Sequence, residues 1–334
     1  MANFETIKLD KGLYNTNKGF LNELESIDPS ENYKGTSLEG LDAFERQLKR
    51  FDIKINGANS DSIEKFFATT DSATLFPEYV SRAVYQGLTE DNSIDKIIAT
   101  KTNINGLDYR TVRLTSTDSD LSPQIVAEGA ALPEAVISTK DNLVSLKKHG
   151  RMLVASYEAI RFQRIDLFTI ALRKMGAAIA RSQFLNAIEV LISGDGNDNA
   201  APEFALTNEG TLTYEDMIKF WNSFAPYNMN TLIVSNNVMH KLLTMPEFRD
   251  ANAGLTFHGS GAMITPLGAN VINTTDVTDT IVGLDKNYAL EMVTAGGIHT
   301  DYDKLIDRQL ERAAISQISG FSKIFKEASS IISL

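Results

Sequence analysis

Ala127-Glu128-Gly129-Ala130-Ala131-Leu132-Pro133-Glu134 opens, and Gly194-Asp195-Gly196 closes, the stretch on which the reading of this 334-residue chain turns. Between them lie a basic, strand-like segment, Asn142 to Ala155, and a long periodic segment beginning at Asp166. In the latter, Phe168, Leu172, Met175, Ile179, Leu185, Ile188 and Ile192 recur close to the helical period, which predicts a helix over 166–192. Asp166 supplies an acid or cap at its start, and Gly194 tolerates the positive φ that closes it. A helix of about 26 residues is roughly 39 Å long at ~1.5 Å per residue. Ala171, Gly176, Ala177, Ala178, Ala180 and Ala187 keep it slim, so other backbone can lie close against it. An ordinary core helix would show the same pattern, so function has to be read from what surrounds it.

Charge is the first such clue. Nine Lys or Arg residues fall between Lys140 and Ser182, opposed only by Asp141, Glu158 and Asp166, in a chain whose net charge is −11. Lys147, Lys148, Arg151, Arg173, Lys174 and Arg181 are the candidates from this block to face a DNA backbone or acidic parts of neighbouring subunits. A solvated helix face is the alternative. No aromatic interleaving or recognition-helix pattern points to sequence-specific readout.

Composition narrows the class. Hydrophobic content of 43% and charged content of 22% are those of a folded chain, long enough for two or three subdomains. The absence of cysteine excludes disulfides, thiolate metal sites and cysteine nucleophiles, and suits a reducing cytoplasm. Met1 to Leu24 is polar and unlike a signal peptide, and no apolar run reaches the ~20 residues of a membrane span.

Outward from the central stretch, residues 1–75 form a polar segment with one amphipathic patch. Leu41, Phe44, Leu48 and Phe51 share a helical face there, with Thr36 or Ser37 as the expected cap. This patch must dock on its own subunit or on a neighbour, and the segment is expected to be an extended N-terminal arm. Leu75 to Leu88 predicts a short helix. Thr100 to Leu114 alternates, with Asn105-Gly106 as a turn and a return near Ile125, which predicts a long two-stranded excursion with little core of its own. Beyond Gly196 come a helix containing Trp221, a buried strand at Thr231–Val234, a helix across Val238 to Leu243 and a glycine-containing loop from Gly254 to Pro266. Strands are expected near Val271, Ile281, Ala289–Val293 and Ala313–Ile318. The fold class is α+β.

No reaction chemistry emerges. The four histidines are scattered, and the Asp195 loop lacks Gly at its sixth position and Glu at its twelfth, so it fails as an EF-hand. Gly259-Ser260-Gly261 is no nucleophile elbow, and no Walker lysine follows a glycine loop. Glu128 and Glu134 read as solvated or salt-bridged rather than as an acid/base pair. No catalytic, cofactor-binding or metal residue is assigned, no cofactor is expected, and the chain is not expected to be an enzyme.

Several blocks, taken in order, resemble the major capsid proteins of tailed bacteriophages with the Hong Kong 97-like fold. They are Thr70-Asp71-Ser72-Ala73 with Phe76-Pro77, Glu128-Gly129 with Pro133, the helix ending at Gly194-Asp195-Gly196, Asn230 to Ser235, Leu267-Gly268, and Asp301 through Asp307-Arg308-Gln309 to Ile315-Ser316. The resemblance spans roughly Thr69 to Ile332, each motif being weak alone. It implies an N-terminal arm (1–75), a peripheral domain (76–99, 136–200 and 298–334) with its spine helix (166–192), an extended loop (100–135) and an axial domain (201–297). Tyr109, Arg110, Arg113, Glu128, Glu134, Leu41, Phe44 and Leu48 become candidate inter-subunit contacts.

The implied function is self-assembly into pentamers and hexamers of an icosahedral phage head around double-stranded DNA. The implied partners are scaffold, portal and decoration proteins, with no membrane involved. The location is the virion, after assembly in the host bacterial cytoplasm. An encapsulin-like nanocompartment with the same fold is the alternative, and a soluble enzyme of small oligomeric state a third. Some members crosslink through a lysine on the extended loop; here no lysine lies between Thr102 and Thr139, so no such bond is expected. The segment before Thr70 is shorter than a full scaffold domain, so a separate scaffold or none is expected.

Overall fold

The computed structural model describes residues 4–15, 19–57, 59–90, 93–114, 125–129, 137–156, 158, 162–208, 210–249, 264–265, 267–305 and 307–334. Its helices are α1 (Phe20–Ile27), α2 (Ala43–Arg50), α3 (Thr70–Ala73), α4 (Phe76–Glu90), α5 (Ile165–Ser193), α6 (Tyr214–Asn222), α7 (Asn236–Thr244) and α8 (Pro246–Arg249). The strands are β1 (Thr100–Ile104), β2 (Val112–Leu114), β3 (Ile137–Thr139), β4 (Lys147–Ser156), β5 (Thr231–Ser235), β6 (Asn270–Thr274), β7 (Thr280–Leu284), β8 (Leu290–Ala295), β9 (His299–Leu305), β10 (Leu310–Lys323) and β11 (Ser329–Ser333). They build two compact units, one from Met1–Asp91, His149–Arg181 and Ile298–Gln317, the other from Asn92–Lys148, Ser182–Gly297 and Ile318–Leu334.

The first unit is centred on α4 and the N-terminal half of α5. Val80, Val84, Phe168, Leu172 and Ile179 are buried between them, because each lies on the inner stripe of its helix. The two backbones nearly touch. A Cβ on Gly87 would lie 2.0 Å from the carbonyl oxygen of Arg173, and one on Gly176 would lie 2.1 Å from that of Val84. The slim face read from Gly176 is thus a seat for α4. Tyr79 ties the pair further, its hydroxyl 2.6 Å from Thr169 Oγ1. β9 and the first half of β10 run antiparallel, from Leu310↔Leu305 to Ser316↔His299.

Residues before Thr70 belong to this same unit. Phe20, Leu24, Phe44, Leu48, Ile53, Ile63 and Phe66 share one apolar cluster with Phe76 and Phe168. An extended arm was expected; the apolar face of α2 instead finds its cover within the chain. The helix also starts later than Thr36 or Ser37 implies. Asp42 is its cap, accepting from the Glu45 N–H, while the Glu45 carboxylate accepts the Asp42 N–H. Arg46 projects from α2 into the interior with no exposure. Its Nε donates to Asp28 Oδ2 at 2.7 Å, Nη2 to the Asp28 carbonyl at 2.5 Å and Nη1 to the Leu41 carbonyl at 2.6 Å.

The second unit holds three pairings that decide its architecture. β1 runs parallel to β8, from Thr100↔Glu291 to Ile104↔Ala295, and the last five residues of β10 pair antiparallel with β8. The order β11-β7-β5-β6 makes a four-stranded sheet, with β5 parallel to β6 and β7 antiparallel to both β5 and β11. β2 and β3 form a two-stranded ladder with Val112 opposite Thr139 and Leu114 opposite Ile137. Two expectations are corrected here. Thr100–Ile104 is no part of a hairpin, because it finds a partner 191 residues away in β8. The strand Ser329–Ser333, placed by sequence in the peripheral domain, joins the sheet of the expected axial domain. The segment Gly254–Pro266 lies largely outside the described residues.

The expected spine helix extends one residue beyond its expected limits at each end, as Ile165–Ser193, and Gly194 follows it at φ 83°. A Cβ at Gly194 would also lie 2.6 Å from Asn199 Oδ1, so the position needs glycine for space as well as for backbone angle.

Candidate functional site

The β2–β3 ladder is a surface left open. Every residue of β3 is exposed, although successive residues of a strand point to opposite faces. Val112 is 56% exposed, Ile137 69% and Ile125 106%. Leu107, just before the ladder, is exposed too. Among the described residues nothing of this chain covers either face. Apolar side chains held this way on a two-stranded ribbon are unstable company for water, and the ribbon is marginal without a partner surface.

At its root the same ribbon is tightly held. The Lys140 N–H donates to the Thr111 carbonyl at 2.9 Å, and the Val144 N–H to the Tyr109 carbonyl at 2.9 Å, so the pairing continues inward from the ladder. Thr111 is 2% exposed and Glu291, from β8, is 5% exposed. Glu291 accepts hydrogen bonds from the hydroxyls of Thr102, Thr111 and Tyr109, the last at 2.8 Å. No cation is among these partners; three hydroxyls satisfy the carboxylate. Burial, followed by the hydrogen bond to Glu291 and its charge, raises the Tyr109 phenol above its ordinary value.

The returning strand is held by a second carboxylate. Lys140 Nζ lies 2.9 Å from Asp195 Oδ2, with the two side chains 5% and 3% exposed. Lys140 also donates to Ser322 Oγ and the Lys323 carbonyl, while Asp195 accepts from Ser322 Oγ at 2.7 Å and the Lys323 N–H at 3.0 Å. Burial alone would raise the Asp195 carboxyl. Hydrogen bonds from Asn197, Lys140 and Ser322, with the Lys140 charge, outweigh it and hold the group at about 2. Lys323 is fully buried, donates to the Leu191 carbonyl at 3.3 Å, and is pushed down to about 8, first by burial and then by repulsion from Lys326. The turn that fails as a calcium loop thus has its acid committed to protein donors. Among the described residues no group of His, Asp and Glu is arranged to hold a metal ion.

The residues singled out from sequence are distributed as follows. Tyr109 binds Glu291 of its own chain rather than facing outward, and Phe44 and Leu48 are 1% and 4% exposed inside the first unit, with Leu41 half-buried beside them. Tyr109, Phe44 and Leu48 are therefore occupied within the chain. Arg110 and Glu128 are exposed, Arg113 lies on β2 where only its backbone is described, and Glu134 lies outside the described residues. Of the basic set, Lys147 pairs with Glu189 at 2.9 Å and Arg173 lies 3.8 Å from Glu90. Lys148 and Arg151 are exposed on β4, and Lys174 and Arg181 on the outer stripe of α5, which they share with Leu167 and Ile170. Sequence reasoning missed Glu291, Thr111 and the pairing of Lys140. The signal was present: Glu291 interrupts the apolar run Ala289 to Val293, and a carboxylate inside a buried strand requires donors.

A shallow depression of about 550 Å³ in the first unit is lined by Asp42, Glu78, Arg82 and Tyr85 among others. Arg82 is already paired there with Asp42 at 2.7 Å and Glu78 at 3.0 Å. No helix among the described residues is long and apolar enough to cross a membrane.

Comparison with known proteins places this geometry. A family profile described as phage capsid protein matches residues 139–305, half of the chain. No curated protein matches the sequence. Among solved structures, the chain is similar to a virus-like particle from Pyrococcus furiosus, with 13% identity and a TM-score of 0.52 over 76% of this chain and 98% of that one. It is also similar to the capsid of a native GTA particle, at 16% identity, TM-score 0.50, and 72% and 89% coverage. Mycobacterium phage Che8 gives 12% identity, TM-score 0.50, and 68% and 84% coverage. At these identities the likeness is one of fold.

Proposed function

Because the chain belongs to the phage capsid protein family and has the Hong Kong 97-like fold, a capsid shell protein found in virions, we propose that it is the subunit of hexamers and pentamers in an icosahedral head around double-stranded DNA. The observation that carries this reading is the β2–β3 ribbon, whose Val112 and Ile137 have no cover in their own chain among the described residues. Fully burying one such side chain stabilises by about 1.5–3 kcal/mol, and a closed shell repeats that gain at every copy.

The role is structural rather than catalytic in this reading. Lys148, Arg151 and Lys174 supply sequence-independent attraction, either to packaged DNA or to acidic surfaces of other copies. Assembly takes place in the host bacterial cytoplasm, with scaffold, portal and decoration proteins as the further partners. The extended loop forms no lysine crosslink, so boiled particles run as one monomer band in SDS electrophoresis; a covalent ladder contradicts this.

A protein-filled compartment remains the second reading, favoured by the likeness to the Pyrococcus furiosus particle, whose own length is 98% covered. Particles purified from the producing cell and examined by negative-stain microscopy separate the readings. Nuclease-protected duplex DNA inside polyhedral particles is the expected result. Protein cargo without nucleic acid favours the compartment. A chain that stays monomeric or dimeric under every assembly condition overturns both.

A further inference from the structure

We infer that the direction of the β2–β3 ribbon is set before assembly by two buried carboxylates at its last covered rung, Glu291 holding the outgoing strand and Asp195 the returning one. The inference rests on the capsid reading for its purpose, since an aimed ribbon matters only to a subunit that must meet another. Its physical basis lies within the second unit alone.

Thr111 and Lys140 face each other across one rung, joined by the 2.9 Å main-chain bond. Both are buried, at 2% and 5% exposure, whereas Val112, the next residue outward, is 56% exposed and its partner Thr139 is exposed as well. The boundary between held and free chain therefore falls between these two rungs. At that boundary the side chains leave in different directions. Thr111 donates to Glu291 on β8, and Lys140 donates to Asp195 in the turn after α5.

A single anchor would leave a ribbon free to pivot about it. Two anchors on separate elements remove that rotation. Each carboxylate is itself fixed by further donors: Tyr109 and Thr102 on Glu291, Ser322 and the Lys323 N–H on Asp195. Orienting the ribbon in the free subunit lowers the ordering cost at the moment of association. Glu291, Asp195, Thr111 and Lys140 are in this sense positioning residues for a contact they do not touch.

The absence of cysteine makes the test direct, because two introduced thiols are the only sites for spin labels. Labels at Ser138→Cys on the ribbon and Asn287→Cys beside β8 report the distance between them in unassembled chain. A narrow distribution is expected in the otherwise unaltered protein. In Thr111→Val with Lys140→Met the distribution broadens roughly twofold or more, and particle yield falls about tenfold, as for a contact whose supporting residues have been loosened. If that double variant misfolds, Thr111→Val alone decides: it broadens the distribution, and Thr111→Ser, which restores the hydroxyl, narrows it again. A distribution already broad in the unaltered chain, or one that stays narrow in the variants, overturns the inference. Because the distances are read before assembly, failure of the unaltered chain to form particles defeats the capsid reading and leaves this comparison decisive.

Discussion

Thr111 and Lys140 are joined by one main-chain hydrogen bond, yet their side chains reach two different buried carboxylates, Glu291 and Asp195. The Lys140–Asp195 pair is the costlier of the two to break, because removing the cation leaves a carboxylate only 3% exposed without its countercharge. Lys140→Met is expected to destabilise the chain by about 3–5 kcal/mol in urea unfolding. Lys140→Met combined with Asp195→Asn recovers part of that loss, since no buried charge is then stranded. A single-variant cost below about 1 kcal/mol, the range of an exposed pair, contradicts the geometry.

The same pair predicts a pH dependence whose sign follows from Asp195. Its folded-state value of about 2 lies below the ordinary 3.8, so the folded chain binds the proton less readily than the unfolded one. The stabilisation is therefore complete above pH 3.8 and is lost as the pH falls through about 2. Its size is about 2 kcal/mol. Asp216, held at about 2 by hydrogen bonds from Thr207 and Thr213 against the opposing effect of burial, acts in the same direction. Unfolding measured from pH 6 to pH 2 shows a falling stability, and Asp195→Asn flattens the curve. An unchanged slope in the variant refutes the assignment.

Gly87 and Gly176 make a reciprocal contact between α4 and α5. An added methyl group at either meets rigid backbone rather than a side chain that can swing away. Gly87→Ala and Gly176→Ala are each expected to cost about 3 kcal/mol or more, at the upper end for overpacking. Ala178→Ser, on the exposed stripe of the same helix, is expected to stay within about 0.5 kcal/mol. Thermal melts of the three variants check this, and a tolerated Gly176→Ala argues against the close helix approach.

Arg46 holds the N-terminal segment to its own unit. Its loss leaves Asp28, 1% exposed, without its cation, at a cost of about 3–5 kcal/mol. Lysine does not rescue it, because three of its bonds use the planar fork of the guanidinium and the Tyr33 ring lies 4.4 Å from it. Limited proteolysis should cut Arg46→Ala and Arg46→Lys alike within the first 50 residues, while the unaltered chain resists. Equal resistance in all three would show that Arg46 does not hold the segment, and equal cleavage in all three would return it to the status of a detached arm.

Much of the local structure was legible. The 166–192 period marks α5 within one residue at each end, and Gly176 announces the close approach of another backbone. The buried strand at Thr231 and the helices flanking it lie where their apolar runs place them, while the Thr213 cap of α6 is seen in the structure. Long-range choices were not legible. Alternation along Thr100–Leu114 marks strand but does not name a partner, so the parallel pairing of β1 with β8 came as a correction. The face of α2 announces burial without saying against what, and the clamp residues are separated by up to 189 positions along the chain.

The sequence by itself determined most of the helices and strands, the absence of thiol chemistry and the capsid resemblance, because periodicity, capping and residue type act over a few neighbouring positions. Only the tertiary structure decided which apolar faces are covered by the chain itself and which remain open. It buried Phe44 and Leu48, left Val112 and Ile137 in water, and drew Thr111 and Lys140 to separate carboxylates. The physical reason is that burial and ion pairing depend on distances in space. A hydrophobic pattern specifies that a face needs a partner, and packing alone selects whether that partner is the same chain or another.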